Sequence, residues 1–180
     1  MSVANPNPLG YAALAYAALG TRNDFFGGYF PQAYGKLGGE EVSTVFVICA
    51  LLVAGIVAFL RNWTWDGTLF IYWSAMEFGW VQARDHDIGN VALISQLWLA
   101  AVLFHLFLAW KAFKQKEGGL FRGLIALGFV VIAIRCWALA NWGIGPKNIL
   151  TGYVQHATAL LCFWVCATEL NIAESGDLSK

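Results

Sequence analysis

The stretch GLFRGLIALGFVVIAIRCWALANW, Gly119–Trp142, decides the class of this chain. Apart from Arg122 and Arg135 it carries no charge, and a helix of this length, at about 1.5 Å per residue, covers the ~30 Å hydrocarbon core of a bilayer. Working outward from it, Val42–Leu60, Gly67–Ala83, Ile88–Trp110 and Ile149–Asn171 repeat the pattern. A crossing needs about 20 apolar residues, within a range of about 17–25, and all of these runs qualify. The first apolar run, Pro8–Gly20, is short: on length alone it suits a re-entrant or interfacial piece, and it reaches crossing length only by continuing past Arg22 to Asp24. The expected spans are therefore 8–24, 42–60, 67–83, 88–110, 119–142 and 149–171. The expectation is an all-α integral membrane protein, one six-helix bundle over residues 1–180, with the Gly- and aromatic-rich stretch Phe25–Gly39 as an interfacial cap.

Composition agrees with the runs. Of 180 residues 59% are hydrophobic and 12% charged, with mean hydropathy +0.60, nine Trp and thirteen Phe. A soluble domain carries about 25% charged residues. Eleven basic and eleven acidic residues balance, which gives no sign of a nucleic-acid partner. No basic region precedes the first apolar run, so no cleavable signal peptide is expected. Cys49, Cys136, Cys162 and Cys166 fall inside apolar runs without metal-ligand spacing and read as small buried residues.

Lys and Arg in the short connections set the orientation. Arg61, Lys111, Lys114, Lys116, Arg122 and Lys180 fall on one side of a six-span chain, and Arg22, Lys36, Arg84 and Lys147 on the other. The Lys111–Arg122 cluster places both termini in the cytoplasm, with the chain multi-pass in the plasma (inner) membrane. Trp63, Trp65, Trp110 and Trp142 stand near span ends as interfacial anchors. Arg84-Asp85-His86-Asp87 reads as a solvated outer turn, with Asp87 capping the fourth span.

Asn5-Pro6-Asn7-Pro8-Leu9-Gly10 marks the mouth of the first span. Each proline lacks an N–H and disfavours helix in the residue before it, so the pair belongs at a helix start. Pro8 suits the first helical position, with Asn7 as the cap and Gly10 admitting a neighbouring backbone.

This hexapeptide, by sequence and position, resembles the Asn-Pro-x-Pro-Leu-Gly motif of the acetate uptake transporter family, the YaaH-like group. Length and span count are similar too. So are the run from Ala50 to Phe70 and the ending Ala167-Thr168-Glu169-Leu170-Asn171. The resemblance implies a channel or transporter for small monocarboxylates such as acetate, with succinate as a further candidate, passive or proton-linked. It further implies one pathway per protomer and a ring-shaped homohexamer. Asn5, Pro6 and Pro8 then belong to the substrate pathway. Leu14 of span one and Trp73 of span three take two places in an apolar constriction completed by span five. One departure stands out: Trp73-Ser74-Ala75-Met76-Glu77 occupies the place of Tyr-Gly-x-Phe-Trp, and Glu77 bears on the substrate's charge.

A charged residue at a helix centre costs about 2.5–3.5 kcal/mol on insertion scales, so each needs a reason. Glu77 and Arg135 fall at similar depth in spans three and five, with His156 of span six near them. A Glu77–Arg135 pair is expected, either locking the bundle or setting the charge of an outer vestibule. Thr151, Gln155, Thr158, Cys162, Cys166 and Glu169 recur every three or four residues on one face of span six. That face suits either the wall of an aqueous path or a helix contact. Ala50, Ala54 and Ala58 of span two, and Gly10, Ala13, Ala17 and Gly20 of span one, read as packing stripes. His105 reads as a histidine bonded to a neighbouring helix.

No metalloprotease helix, phosphate-binding loop or nucleophile motif is present, and neither an enzyme nor a cofactor site is expected. Beside the monocarboxylate pathway stand two alternatives: a channel for small neutral solutes such as urea, amides or ammonia, and a cofactor-free structural subunit of a larger membrane complex. A small carboxylic acid titrates, like a carboxyl side chain, at about 4–5, so its path must shield a charge or carry a proton beside it. The partners expected are thus a small solute, membrane lipid and further copies of the chain.

Overall fold

The computed structural model describes residues 5–20, 39–85, 91–115, 118–142 and 149–177. These form six α-helices and, among the described residues, no strand. They are α1 Asn7–Gly20, α2 Gly39–Leu60, α3 Thr64–Asp85, α4 Val91–Phe113, α5 Gly119–Trp142 and α6 Ile149–Asp177. The decisive stretch coincides with α5. Helices α2 and α3 start earlier than expected, and α4 and α6 run past their apolar cores into polar residues, because the intrahelical hydrogen bonds continue into the flanks. The extension of the first span to Asp24 and the cap at Phe25–Gly39 concern residues 21–38, outside the described residues, as does Asp87.

The start of α1 corrects the expected cap. Pro6 C=O accepts the first helical bond, from Gly10 N–H at 3.0 Å, so the cap position is Pro6 and not Asn7. The side chain that satisfies a free amide is Asn5, whose Oδ1 accepts from Asn7 N–H at 3.0 Å. Pro8 then sits one place further in, still within the first turn, where its missing N–H has no helical partner to lose. At the end of α2, Trp63 N–H bonds Ala58 C=O and Asn62 N–H bonds Phe59 C=O, both at 2.9 Å. This is the Schellman pattern, with Asn62 at φ 61° in the left-handed position that Asn tolerates. Trp63 C=O accepts from Gly67 N–H and opens α3 at once.

Helix α1 is surrounded by α2, α3 and α6; α2 packs on α3, α4 on α5 and α5 on α6. Small residues set the spacing. A Cβ on Gly10 would enter the Phe70 ring, so a side chain of α3, rather than a backbone, takes the room that glycine leaves. A Cβ on Gly119 would strike the Ala112 carbonyl of α4, and one on Gly128 would strike Thr158 of α6. Ala50, Ala54 and Ala58 are buried, as are Ala13 and Ala17, which bears out the packing stripes. Tyr11, Leu14, Leu51, Phe70, Ile125 and Phe129 are wholly enclosed.

The outward faces are apolar as well. Phe46, Leu60, Leu103, Leu120, Leu160 and Trp164 are each more than half exposed. A helix in water carries polar groups on its outer face, whereas these helices are apolar all round. Two stretches, Gln96–Phe113 and Gly119–Ala138, are long and apolar enough to cross a membrane, and Val45–Leu60 is a shorter run of the same kind.

Candidate functional site

The helix ends converge at one pole of the bundle. Asn5 Nδ2, ahead of α1, donates to Glu169 Oε2 near the end of α6 at 3.1 Å. Trp65 Nε1, at the start of α3, donates to Leu108 C=O near the end of α4 at 3.1 Å. The starts of α1, α3 and α5 meet in a single network. Tyr11 O–H donates to Asp66 Oδ1 at 2.6 Å, while Arg122 places Nε on Oδ1 at 3.2 Å and Nη2 on Oδ2 at 2.9 Å. Successive helices thus alternate in direction.

Local sequence puts each group in place. Asp66 lies in the first turn of α3, where the unpaired N–H groups of the helix start favour a carboxylate. Gly118, at φ 66°, lets the chain turn sharply between α4 and α5 and bring Arg122 round to Asp66. The Trp65 ring lies 5.8 Å from the Arg122 guanidinium and covers its flank. The fork geometry of the guanidinium suits a carboxylate, and the Tyr11 hydroxyl adds a third donor.

Around this network lies a pocket of about 480 Å³, whose walls include Asn7, Asn62, Thr64, Gln115, Arg122 and Glu169. The Arg122 side chain is 23% exposed and that of Asp66 only 4%. The guanidinium therefore faces the pocket and the carboxylate stands behind it. Asn7 is buried on the same wall, and its Oδ1 accepts no hydrogen bond among the described residues. Chemically, the pocket offers a fixed cation, two carboxylates and several amide and hydroxyl groups, which suits a small polar solute.

Deeper in the bundle Leu14 and Trp73 are buried, and the Trp73 ring packs against Phe129 of α5, centroids 4.4 Å apart. Trp73 Nε1 donates to His105 Nε2 at 2.8 Å, and His105 Nδ1 donates to Ala101 C=O at 2.7 Å. A carbonyl only accepts and an indole N–H only donates, so His105 carries its proton on Nδ1. This bears out His105 as a histidine bonded to a neighbouring helix.

No protein-family model, curated protein or solved structure matches this chain.

The site residues expected from sequence divide between the pocket and the interior. Asn5, one residue ahead of the cap, accepts from Asn7 N–H and holds Glu169; Pro6 and Pro8 shape the entry of α1. Gln155 and Thr158 are buried on the inner face of α6, and His156 is half-buried. Thr158 packs against Gly128 and bonds its own Val154 C=O at 2.7 Å, a helix-contact role. Of the α6 stripe, Glu169 reaches the pocket. Arg135 is buried in α5 and Glu77 half-buried in α3. Asp66 and Arg122 form an ion pair that the sequence did not suggest.

Sequence reasoning missed Tyr11, Asp66 and Arg122. Asp66 stood one residue outside an expected span, Arg122 counted as a cytoplasmic charge, and Tyr11 was not singled out. A signal was present: opposite charges at the entrances of spans three and five, which any six-span topology puts on the same side.

Proposed function

We propose that this chain is a six-span protein of the plasma (inner) membrane, with both termini cytoplasmic, that conducts small monocarboxylates such as acetate, one pathway to a protomer. The observation that carries this is the Arg122-containing pocket at the pole where α1, α3 and α5 begin. The same three helices bring the apolar side chains Leu14, Trp73 and Phe129 together further in. The N–H groups of Arg122 not bonded to Asp66 offer a carboxylate a docking point, and an apolar zone behind it favours small solutes. The Asn5–Gly10 resemblance, the apolar outer faces and the two crossing-length stretches add support. In this proposal the chain performs no covalent chemistry, needs no cofactor and assembles as a homohexamer.

One feature favours a second reading. Asp66 already neutralises Arg122, and the remaining walls include the uncharged Asn7, Asn62, Thr64 and Gln115, a lining that also suits urea or small amides. Uptake of labelled acetate, succinate and urea into proteoliposomes separates the two. Saturable acetate uptake above that of protein-free vesicles is the expected result. Urea uptake alone would transfer the function to neutral solutes. No flux of any of the three would leave a structural subunit of a larger complex.

A further inference from the structure

Arg122 spends two of its five N–H bonds on Asp66, through Nε and Nη2. Of the two Asp66 oxygens, Oδ1 accepts from both Tyr11 and Arg122 Nε, while Oδ2 accepts from Arg122 Nη2. The guanidinium is the partner turned to the pocket; the carboxylate is the enclosed one. A substrate carboxylate arriving at Arg122 therefore meets a cation already claimed by a second carboxylate.

We propose that Arg122 is the docking group for the substrate's carboxylate in this pocket, and that Asp66 yields it by taking up one proton on Oδ2. The inference rests on the proposed monocarboxylate function and supplies the residues for it. The electrostatics require such an exchange. Asp66⁻ with Arg122⁺ is neutral as a pair, and Glu169 adds a further carboxylate to the same pocket, so an anion arriving alone leaves an uncompensated negative charge beside the enclosed Asp66. Adding the anion with a proton restores neutrality as AspH beside a guanidinium–carboxylate pair.

The step balances. A proton leaves hydronium or a buffer acid in the pocket and bonds to Asp66 Oδ2. The Nη2–H···Oδ2 hydrogen bond breaks, and Nη2–H forms one to the substrate oxygen. Tyr11 keeps its bond to Oδ1, which remains an acceptor as the carbonyl oxygen of the acid. The charged or titratable groups facing Asp66 are Tyr11 from α1, Arg122 from α5 and Glu169 from α6. The α2–α3 turn and the end of α4 add the uncharged Asn62 and Gln115 to the same pocket. Glu169, held by Asn5, is the one rival proton acceptor among the described residues lining the pocket.

The test is infrared difference spectroscopy of the purified full chain on adding isotopically labelled acetate, whose own carboxyl bands are thereby displaced. A pH-indicator dye in weakly buffered solution counts protons in parallel. The expected result is a new carboxylic-acid C=O band with uptake of one proton per acetate bound, both absent from Asp66→Asn. Arg122→Gln should bind acetate roughly tenfold to a hundredfold more weakly, the value of a charge-assisted hydrogen bond. Acetate binding to the parent without the band or the proton overturns the proposal, whatever the variants do. So does a band that survives in Asp66→Asn and disappears in Glu169→Gln. Acetate flux in vesicles without the band ends this inference and leaves the transport function standing; neither binding nor flux ends both.

Discussion

The indole N–H of Trp73 in α3 ends on Nε2 of His105 in α4, 2.8 Å away and fully enclosed by Tyr72, Phe104 and Phe129. Together with the bond from Trp65 Nε1 to Leu108 C=O, it ties α3 to α4. It also fixes the imidazole as a neutral acceptor toward Trp73, since a second N–H there would oppose the indole donor.

His105→Phe should leave the Trp73 N–H buried without an acceptor, at a cost of about 1–3 kcal/mol. Trp73→Phe in the same chain should cost little more, because the orphaned donor goes with it. Thermal unfolding in detergent across the four-member cycle checks this. Additive losses would mean that the bond contributes nothing beyond packing.

Asp66→Ala removes the partner of Arg122 and of the Tyr11 hydroxyl together. Breaking a buried ion pair costs about 3–5 kcal/mol, and the partial exposure of Arg122 brings the expected loss nearer 2. Tyr11→Phe, which removes a single donor, should cost about 1–1.5 kcal/mol. Chemical denaturation of both variants should preserve that order.

Gly10→Ala drives a methyl group into the Phe70 ring and should destabilise by about 1–3 kcal/mol, as overpacked cores do. Phe70→Leu in the same chain should recover part of the loss. A melting temperature for Gly10→Ala equal to that of the parent would show that α1 and α3 are further apart than described here.

Asn62 holds a left-handed conformation that glycine adopts without cost and a β-branched residue resists. Asn62→Gly should be neutral within about 0.5 kcal/mol, whereas Asn62→Val should lose about 1–2 kcal/mol. Unfolding midpoints of the two variants, measured side by side, give the comparison.

Four free thiols report on helix faces. Cys162 is enclosed in α6, as expected, whereas Cys49 is exposed on the outer face of α2 and not buried. A maleimide should leave Cys162 unlabelled in the folded protein and reach it only after denaturation, as mass spectrometry of the digested protein would show.

The helical class was legible because it depends on local properties. Apolar runs of crossing length and the proline pair at positions 6 and 8 placed six helices close to where they stand, and alternation of direction followed from the short connections. The cap of α1 was misplaced by one residue, because Asn5 and Asn7 are equally suited to capping and only the bond to Asn7 N–H distinguishes them. The α6 stripe was assigned to one face correctly. What that face touches was not readable, since Thr158 meets a glycine of another helix.

Composition and periodicity along the chain were sufficient for the helices and their apolar faces, because these follow from neighbours a few residues apart. The partners of the polar groups needed the tertiary structure. Asp66 lies 55 residues from Tyr11 and 56 from Arg122, and no local pattern links such positions. Which buried charge meets which depends on how the helices rotate and slide against each other. Side-chain volumes such as Gly10 against Phe70 and Gly128 against Thr158 set that packing, and with it the meeting of Asp66 with Tyr11 and Arg122.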